Sequence, residues 1–320
     1  MMLATALALQ LVVSAAATGS VRADTLWSQS LGIRKQVMVY LPRSYATRPG
    51  RRYPVAFYLH GLGGRESDWT QLGRLDAVMD SLVAVGFAEM IVVMPDGDDG
   101  WYTTWNSLPS YEVCLRKPPT LESAQSYCVP WPHYDDYVAR DVVQFIDHRY
   151  RTQPVRARRA IAGLSMGGYG AVWLALAYPD VFTAAASHSG VLAPLYVGPH
   201  PFNDQPSWAA TGEALAHAWG RLFPRVAPAF GRDTAMWWSR DPGRRLDRLV
   251  AVGGIAAVPA LFIDVGTSDD LADQSRAFRA HAARLGLSVD YHEWPGGHDW
   301  NYWRAHVGES LAWIASQIAR

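Results

Sequence analysis

The stretch AIAGLSMGGYG at residues 160–170 decides the fold, because an apolar run leads through Gly-x-Ser-x-Gly into a segment that can form a helix. This order predicts a nucleophile elbow, a tight strand-to-helix turn that holds Ser165 in a strained conformation. Gly163 and Gly167 stand where side chains would collide with the neighbouring strand and helix. The turn would place the hydroxyl beside a helix N-terminus, which favours developing negative charge. The motif alone also fits an ordinary glycine-rich turn, so other residues are needed to distinguish a nucleophile elbow from such a turn.

Apolar, strand-like runs alternate along the chain with segments of helical spacing. Residues 24–41 suggest two strands, and further strands are predicted over 53–59, 88–94, 182–187, 259–265 and 288–293, with helices over 72–85, 137–150, 271–285 and 300–318. Apolar runs closed by glycine-rich loops are typical of buried parallel strands. The alternation predicts a doubly wound, mainly parallel α/β sheet in one domain over residues 24–320. Residues 191–251 lack strand-like runs and are predicted to form a partly helical, lid-like insertion over the sheet edge.

The composition is that of a globular protein. The 320 residues are 49% hydrophobic and 18% charged, and their formal net charge is zero. This apolar fraction suffices for a core and is too high for a disordered chain. Since basic residues are not in excess, neither nucleic acid nor an anionic surface is expected as a partner.

The N-terminal segment predicts a secretory signal over residues 1–23. An apolar run from Leu3 to Ala17 precedes the first charged residue, Arg22, and small residues suit cleavage after Ala23. The usual positive charge before the apolar run is missing, and an uncleaved membrane anchor is the alternative. Polar residues at positions 10, 14 and 18 make a poor spanning helix, so no stable membrane insertion is expected. The predicted location is therefore secreted or periplasmic.

Two cysteines, Cys114 and Cys128, lie 14 positions apart in one polar, proline-containing stretch. In an oxidising compartment they are expected to form a disulfide, whereas two unpaired thiols are the alternative. On the chain-entropy model the closed loop would stabilise the fold by about 3 kcal/mol.

A serine nucleophile needs a base, and the base needs a carboxylate that orients it. In the expected fold these partners follow the serine in chain order, on loops after strands. The loop after the strand at 261–264 contains Asp269 and Asp270, and the loop after the last strand contains His298 in a glycine turn. His298 is therefore the predicted base, although a surface loop histidine would have the same local sequence.

The two neighbouring aspartates cannot be separated by position alone. One is predicted to orient His298 and the other to cap the helix that begins near Leu271. We favour Asp269 over Asp270 as the orienting carboxylate. Asp264 lies inside the predicted strand and is less suited to reach the histidine.

The reaction also needs two N–H donors for an oxyanion. One should come from Met166, the residue after the predicted nucleophile. The other should come from a loop after an earlier strand, and HGLGG at residues 60–64 is such a loop. A plain turn is the alternative for this segment when it is read by itself.

Five motifs together resemble the esterase D family of α/β-hydrolases: HGLGG at 60–64, MPDG at 94–97, GLSMGG at 163–168, GTSD at 266–269 and GGHDW at 296–300. That family includes S-formylglutathione hydrolases, secreted feruloyl and acetyl-xylan esterases, and mycobacterial mycolyltransferases. The similarity runs from about residue 36 to the C-terminus and implies an α/β-hydrolase fold. It implies Ser165 as nucleophile, His298 as base and Asp269 as acid. It also implies Leu62 and Met166 as the amide donors of the oxyanion hole.

Two features differ from the cytosolic formylglutathione branch, namely the signal segment and the cysteine-containing loop 97–132. They look more like secreted members that act on polysaccharide-linked, aryl or lipid esters. In that loop Trp101 and Tyr102 follow the strand most closely, and they are the candidates for stacking on a sugar or phenolic ring. Tryptophans at this density also serve as packing elements.

We therefore expect a secreted serine carboxylesterase that acts on small-molecule or polysaccharide-linked esters. An acyltransferase with the same acyl-enzyme and a thioesterase similar to S-formylglutathione hydrolase are the enzymatic alternatives. A non-catalytic binding module is the alternative of a different class.

No metal or organic cofactor is expected. His133 and His148 do not combine with the acidic group Asp96, Asp98 and Asp99 into a spacing typical of metal ligands. That acidic group is predicted to be a solvated turn.

Overall fold

Eight strands form one sheet in the computed structural model, which describes residues 18–105, 111–117 and 122–319. The strands of the chain are β1 Ser20–Ser28, β2 Ile33–Leu41, β3 Val55–Leu59, β4 Ile91–Pro95, β5 Arg159–Leu164, β6 Ala184–His188, β7 Tyr196–Gly198, β8 Ser207–Trp208, β9 Ala260–Gly266 and β10 Asp290–Trp294. Strands β7 and β8 form a separate hairpin, and the sheet has the order β1-β2-β4-β3-β5-β6-β9-β10. Strand β2 is antiparallel to both neighbours, while all pairs from β4 to β10 are parallel.

Helices connect the strands and cover the sheet. They are α1 Ser44–Thr47, α2 Asp68–Gln71, α3 Leu75–Ala84, α4 Tyr111–Arg116, α5 Ala124–Tyr127, α6 Tyr134–Asp136, α7 Val143–Arg149, α8 Met166–Ala177, α9 Gly212–Trp219, α10 Phe223–Phe230, α11 Thr234–Ser239, α12 Pro242–Gly253, α13 Ala272–Arg284 and α14 Trp300–Ile318. A π-helical segment, Tyr137–Val142, precedes α7. Short 3₁₀ segments lie at Arg156–Arg158, Gly220–Leu222 and Ile255–Ala257.

The central strands are buried on both faces, as their unbroken apolar sequences predict. In β3 the side chains of Val55, Phe57 and Leu59 join one core layer. Ala56 and Tyr58 join the other layer, because successive residues of a strand point to opposite faces. Helices α8 and α13 and the π-helical segment cover the first face, and α3 and α14 cover the second. This arrangement confirms the doubly wound, mainly parallel α/β sheet.

Strand β1 overlaps the segment that was expected to be a cleaved signal. Its residues Ser20–Ala23 pair with Met38–Leu41 of β2. Cleavage after Ala23 would remove four of the nine residues of β1. Residues 1–17 lie outside the described residues, and the signal segment stays a prediction.

Residues 191–251, called the insertion below, contain the β7–β8 hairpin, helices α9 to α11 and most of α12. The helices agree with the expected character of this segment, whereas the hairpin was not expected. Its strands are only three and two residues long, too short to give an alternating pattern. Helix α12 packs against α8, so the insertion is anchored on the helix that follows Ser165.

Cys114 and Cys128 form a disulfide with an S–S distance of 2.02 Å, as expected. Both half-cystines are buried in the core layer that contains α8. Across residues 18–105, 111–117 and 122–319, no helix has the length and apolar character needed to span a bilayer.

Candidate active site

Ser165 lies at the tight turn between β5 and α8. Its backbone has φ 53° and ψ −116°, a sparsely populated conformation that costs about 1–3 kcal/mol for a residue with a side chain. A Cβ on Gly163 would lie 2.3 Å from the Gly167 carbonyl oxygen, and a Cβ on Gly167 would lie 2.4 Å from the Leu59 carbonyl oxygen. Both glycines are therefore required by close backbone approach, as the motif predicts. The elbow is held by the Ser165 amide, which donates to the His188 carbonyl at 2.9 Å.

The loops after β9 and β10 lie against each other beside this elbow. The Thr267 amide donates to the Trp294 carbonyl at 2.8 Å, and the Ser268 amide donates to the Gly296 carbonyl at 2.9 Å. A side chain on Gly266 would clash with the Gly296 carbonyl, at 2.4 Å from its Cβ. These contacts bring Asp269 of the first loop and His298 of the second to the same edge of the sheet.

Ser165, His298 and Asp269 form one hydrogen-bonded line. His298 Nε2 lies 2.8 Å from Ser165 Oγ, and His298 Nδ1 lies 2.9 Å from Asp269 Oδ2. The Asp269 side chain is fully buried, whereas the His298 side chain is 35% exposed. The ring of Trp303 meets the imidazole edge-on at 5.0 Å and limits its movement. The line therefore runs from a buried carboxylate to a hydroxyl that solvent can reach.

The surroundings of Asp269 keep its carboxylate charged. Burial alone would raise its pKa, but the hydrogen bond and charge of His298 and the amide of Leu271 lower the pKa below the usual value. The Leu271 amide donates to Asp269 Oδ1 at 2.8 Å. Asp270 is exposed and does not cap α13, whose N-cap residue is Leu271 and has no side-chain cap. The expected division of roles is therefore wrong for Asp270, because Asp269 both faces His298 and binds the amide that precedes the helix.

The two residues that were expected to supply amide donors, Leu62 and Met166, lie close to Ser165. Met166 is the first residue of α8, so its N–H has no acceptor within the helix. Leu62 lies in the loop 60–64 and lines two cavities together with Ser165 and His298. A Cβ on Gly61 would lie 3.5 Å from Ser165 Cβ, which shows how closely this loop approaches the serine. Among the described residues, neither the Leu62 amide nor the Met166 amide donates to a protein group.

Two cavities meet at Ser165, and Leu222 of the insertion lines both. The larger, of about 500 Å³, is bounded by the loop 60–64, Arg225 and the aromatic residues Trp300 and Trp303. The smaller has a volume of about 160 Å³, and most of its walls are apolar side chains, namely Leu62, Trp101, Val191, Trp219, Leu222 and Leu271. Ser165 therefore lies where two compartments of different size and polarity meet.

The structure separates the two aromatic candidates. Trp101 is buried but lines the smaller cavity, and its ring meets those of Trp219 and Phe230 edge-on. Tyr102 is fully buried, donates its hydroxyl to the His60 carbonyl, and lies too close to Gly170 to leave room for a side chain there. The expected stacking role is therefore wrong for Tyr102, which is a packing residue, and it stays a prediction for Trp101.

The acidic residues after β4 do not form a solvated turn, which corrects the expectation from sequence. Asp98 and Asp99 are 1% and 0% exposed. Lys35 Nζ lies 2.6 Å from Asp98 and 2.7 Å from Asp96, and Arg225 Nη2 lies 2.8 Å from Asp99. The buried carboxylates are thus paired with cations from distant parts of the chain, as burial requires.

A second hydroxyl, imidazole and carboxylate lie beneath the elbow. His188 Nε2 lies 2.8 Å from Ser310 Oγ, and His188 Nδ1 lies 2.6 Å from Asp264 Oδ2. All three residues are 0% exposed, and Asp264 also accepts a hydrogen bond from Tyr302. Because this group joins β6, β9 and α14, it ties the sheet to the helix that follows His298. No sequence signal indicated it.

Within the described ranges, His133, Asp135 and Asp136 are a group whose potential metal-ligand atoms lie within 4.8 Å of one another. Each carboxylate already has a partner in the protein: Asp135 accepts from the Thr104 hydroxyl, and Asp136 lies 2.9 Å from Arg140. The group lies on α6, away from the residues that line the cavities at Ser165.

Comparisons with known proteins match the chain to esterases. The Esterase family model, described as "Putative esterase", matches residues 28–314. Esterase Rv1288 of Mycobacterium tuberculosis is 31% identical over 277 residues, which are 85% of this chain and 54% of that protein. The chain thus spans about half the length of this curated relative. An acetyl esterase of Caldicellulosiruptor saccharolyticus is 23% identical over 260 residues, which are 81% of this chain and 82% of that protein.

A solved structure of a ferulic acid esterase superposes with a TM-score of 0.69 and 26% sequence identity, covering 93% of this chain and 98% of that one. The family match extends from the end of β1 into α14, and so includes every strand and loop that places Ser165, Asp269 and His298. The chain therefore belongs to the esterase family of α/β-hydrolases.

Proposed function

We propose that the chain is a secreted serine carboxylesterase with Ser165 as nucleophile, His298 as general base and acid, and Asp269 as the carboxylate that orients the imidazole. The observation that carries this proposal is the line from Asp269 through His298 to Ser165, with distances of 2.9 and 2.8 Å. Such distances permit proton transfer between a hydroxyl and an imidazole whose other nitrogen is held by a carboxylate.

In the proposed first half-reaction Ser165 Oγ attacks the ester carbonyl carbon while its proton moves to His298 Nε2. The carbonyl oxygen becomes an oxyanion that accepts hydrogen bonds from the Leu62 and Met166 amides. The helix N-terminus that begins at Met166 adds favourable potential. The bond to the alcohol oxygen then breaks, and His298 donates its proton to the departing alcohol. The acyl group remains on Ser165.

In the second half-reaction water attacks the acyl carbon and gives its proton to His298. The intermediate collapses, the acid leaves, and the proton returns to Ser165 Oγ. Hydrolysis rather than acyl transfer is supported by solvent access to the line, since the His298 side chain is 35% exposed. Deacylation by water needs no further bound acceptor.

The smaller cavity supports an acyl group of limited size. Its volume of about 160 Å³ resembles the roughly 150 Å³ of an apolar cavity that accommodates benzene. We propose acetyl or single-ring aromatic acyl groups, with an aryl or sugar alcohol in the larger cavity. The names of two similar proteins, acetyl esterase and ferulic acid esterase, agree with this range. Secretion or export to the periplasm is supported by the buried disulfide, which forms in oxidising compartments.

The test compares the wild-type protein with Ser165→Ala on p-nitrophenyl acetate and on a feruloylated oligosaccharide. We expect kcat of the variant to fall by at least about 10⁴-fold, because the nucleophile is lost. A fluorophosphonate probe should label the wild-type protein at Ser165 and leave the variant unlabelled. Turnover by Ser165→Ala at a rate close to that of the wild-type protein would contradict the proposed mechanism. If added sugar acceptors gave more transesterified product than free acid, acyl transfer would replace hydrolysis as the function.

A further inference from the structure

The loop 60–64, called the oxyanion loop below, is held on one side of Leu62 by His60. The His60 Nε2 atom accepts from the Gly97 amide at 2.8 Å, so the ring proton lies on Nδ1. His60 Nδ1 then donates to the Gly61 carbonyl at 2.9 Å, and the Gly64 amide donates to the same oxygen at 3.0 Å. Because the Leu62 N–H belongs to the same peptide plane as this carbonyl, these two bonds orient it.

The peptide plane on the other side of Leu62 is held by Asp99. Asp99 Oδ1 accepts from the Gly63 amide at 2.7 Å. Gly63 has φ +76°, a conformation in which few residues other than glycine are stable. Because glycine can adopt several other backbone conformations, the Gly63 amide would be free to change direction without its acceptor. Asp99 is fully buried, so its carboxylate has a fixed position from which to hold the amide.

The second oxygen of Asp99 binds a side chain of the insertion. Arg225 of α10 donates to Asp99 Oδ2 from Nη2 at 2.8 Å and from Nε at 3.2 Å. The guanidinium also lies on the oxyanion loop, since a Cβ on Gly63 would be 2.9 Å from Arg225 Nη2. Arg225 is 24% exposed and borders the larger cavity beside Ser165. It is thus both the counter-ion of a buried carboxylate and a cover over the loop.

We propose that Asp99 and Arg225 are positioning residues for the oxyanion hole, through which the insertion fixes the direction of the Leu62 amide. Arg225 holds the Asp99 carboxylate in place, Asp99 holds the Gly63 amide, and Gly63 fixes the backbone at Leu62. Neither side chain touches the reacting atoms. The insertion is then part of the machinery that stabilises the oxyanion, as well as a wall of the two cavities. This inference rests on the proposed function.

The experiment measures kcat and KM on p-nitrophenyl acetate for Asp99→Ala and Arg225→Met. We expect kcat to fall by about 10- to 100-fold, since small misplacements of a donor weaken transition-state stabilisation. KM should stay within about twofold, because the planar ester does not yet carry the oxyanion charge. The second-order rate of fluorophosphonate labelling should fall in parallel with kcat. Asp99→Asn and Arg225→Lys keep part of the contacts, so their kcat should fall less. These conservative variants allow the inference to be tested even if Asp99→Ala or Arg225→Met does not fold.

The matched control is Asp147→Asn. Asp147 and Arg159 form a similar pair at 2.7 Å, with side chains 18% and 7% exposed, at the opposite end of β5. This variant should lower Tm as the test variants do but leave kcat within about twofold. Unchanged kcat in Asp99→Ala and Arg225→Met would overturn the inference, and so would a loss confined to KM, which would make Arg225 a substrate-binding residue. A loss of kcat no greater than that of Asp147→Asn would overturn it as well.

Wild-type protein and Ser165→Ala are measured in the same series. An inactive wild-type protein, or an active Ser165→Ala, would refute the proposed function and this inference together. An active wild-type protein whose turnover depends on Ser165 but not on Asp99 or Arg225 would refute this inference alone.

Discussion

Two adjacent carboxylates, Asp269 and Asp270, both border the smaller cavity, but only Asp269 is buried and hydrogen-bonded to His298, and this difference can be tested by substitution. Asp269→Asn should lower kcat on an aryl ester by about 10³- to 10⁴-fold, because an amide no longer stabilises the imidazolium and favours the wrong tautomer of His298. Asp270 is exposed at the smaller cavity, and Asp270→Asn preserves the size of its side chain. This variant serves as the matched control, with kcat within about threefold of wild type. Equal losses in the two variants would show that Asp269 does not have the proposed role.

The sequence predicted the position of residues whose surroundings are formed by neighbours in the chain. Ser165 and His298 follow strands and stand in glycine turns, and both features are visible in the chain itself. The burial of Asp98 and Asp99 was not visible, because their partners Lys35 and Arg225 lie 63 and 126 positions away. An acidic run after a strand has the same sequence whether solvent or a distant cation neutralises it. The enclosure of Tyr102 by the oxyanion loop and α8 had no local signal for the same reason.

At the scale of single elements, helix α12 begins at a buried acid. Asp241 is the N-cap and accepts from the Arg244 amide at 2.9 Å. Burial raises the pKa of its carboxyl to about 7, although hydrogen bonding and the charge of Arg244 oppose the shift. An unfolded aspartate has a pKa of about 3.9, so the folded state binds this proton more tightly. The contribution of Asp241 to stability is therefore complete below about pH 4 and is lost as the pH rises towards 7.

Asp241→Asn should remove this dependence while keeping an oxygen that can cap α12. We expect equal stability of the variant and the wild-type protein near pH 4, and a variant more stable by on the order of 4 kcal/mol at pH 8. Urea unfolding at several pH values measures the difference. Asp233→Asn changes the exposed N-cap of α11 and should leave the pH dependence of stability as it is. Parallel pH profiles for Asp241→Asn and wild type would contradict the prediction.

Elements with strong periodicity or unbroken apolar sequence could be predicted, and the others could not. Helix α14 spans 300–318 as predicted, and the central strands lie within a few residues of their predicted positions. The hairpin β7–β8 was missed because so few residues contribute to each strand. Residues 20–23 belong both to the predicted signal segment and to the edge strand β1. The sequence alone therefore could not place the boundary between the two.

At the scale of the whole molecule, the buried group of His188, Asp264 and Ser310 joins the sheet to α14. His188→Leu would remove the imidazole beside the buried Asp264 carboxylate and leave the hydrogen bond from the Tyr302 hydroxyl. We expect the free energy of unfolding to fall by about 3–5 kcal/mol, as when one partner of a buried pair is removed. Urea denaturation at constant pH measures this loss.

The control for this prediction is another histidine–aspartate pair. His281 and Asp247 lie 2.8 Å apart with side chains 29% and 46% exposed. His281→Leu should cost less than about 1 kcal/mol, because solvent replaces the lost partner. Similar losses for the two variants would mean that burial of the His188 pair contributes nothing particular to stability.

This buried group has nearly the same interatomic spacing as the group at Ser165, which matters for methods that identify active sites from the geometry of side chains. Within the described residues, a search for a hydroxyl, an imidazole and a carboxylate at this spacing would find the group that ends at Ser310 as well as the one that ends at Ser165. Atomic distances cannot rank them, but Ser310 is sealed from any electrophile, and it does not occupy a turn with strained dihedral angles. The buried group is therefore an internal negative control. A covalent inhibitor or a structural template that is specific for active sites should select Ser165 and not Ser310.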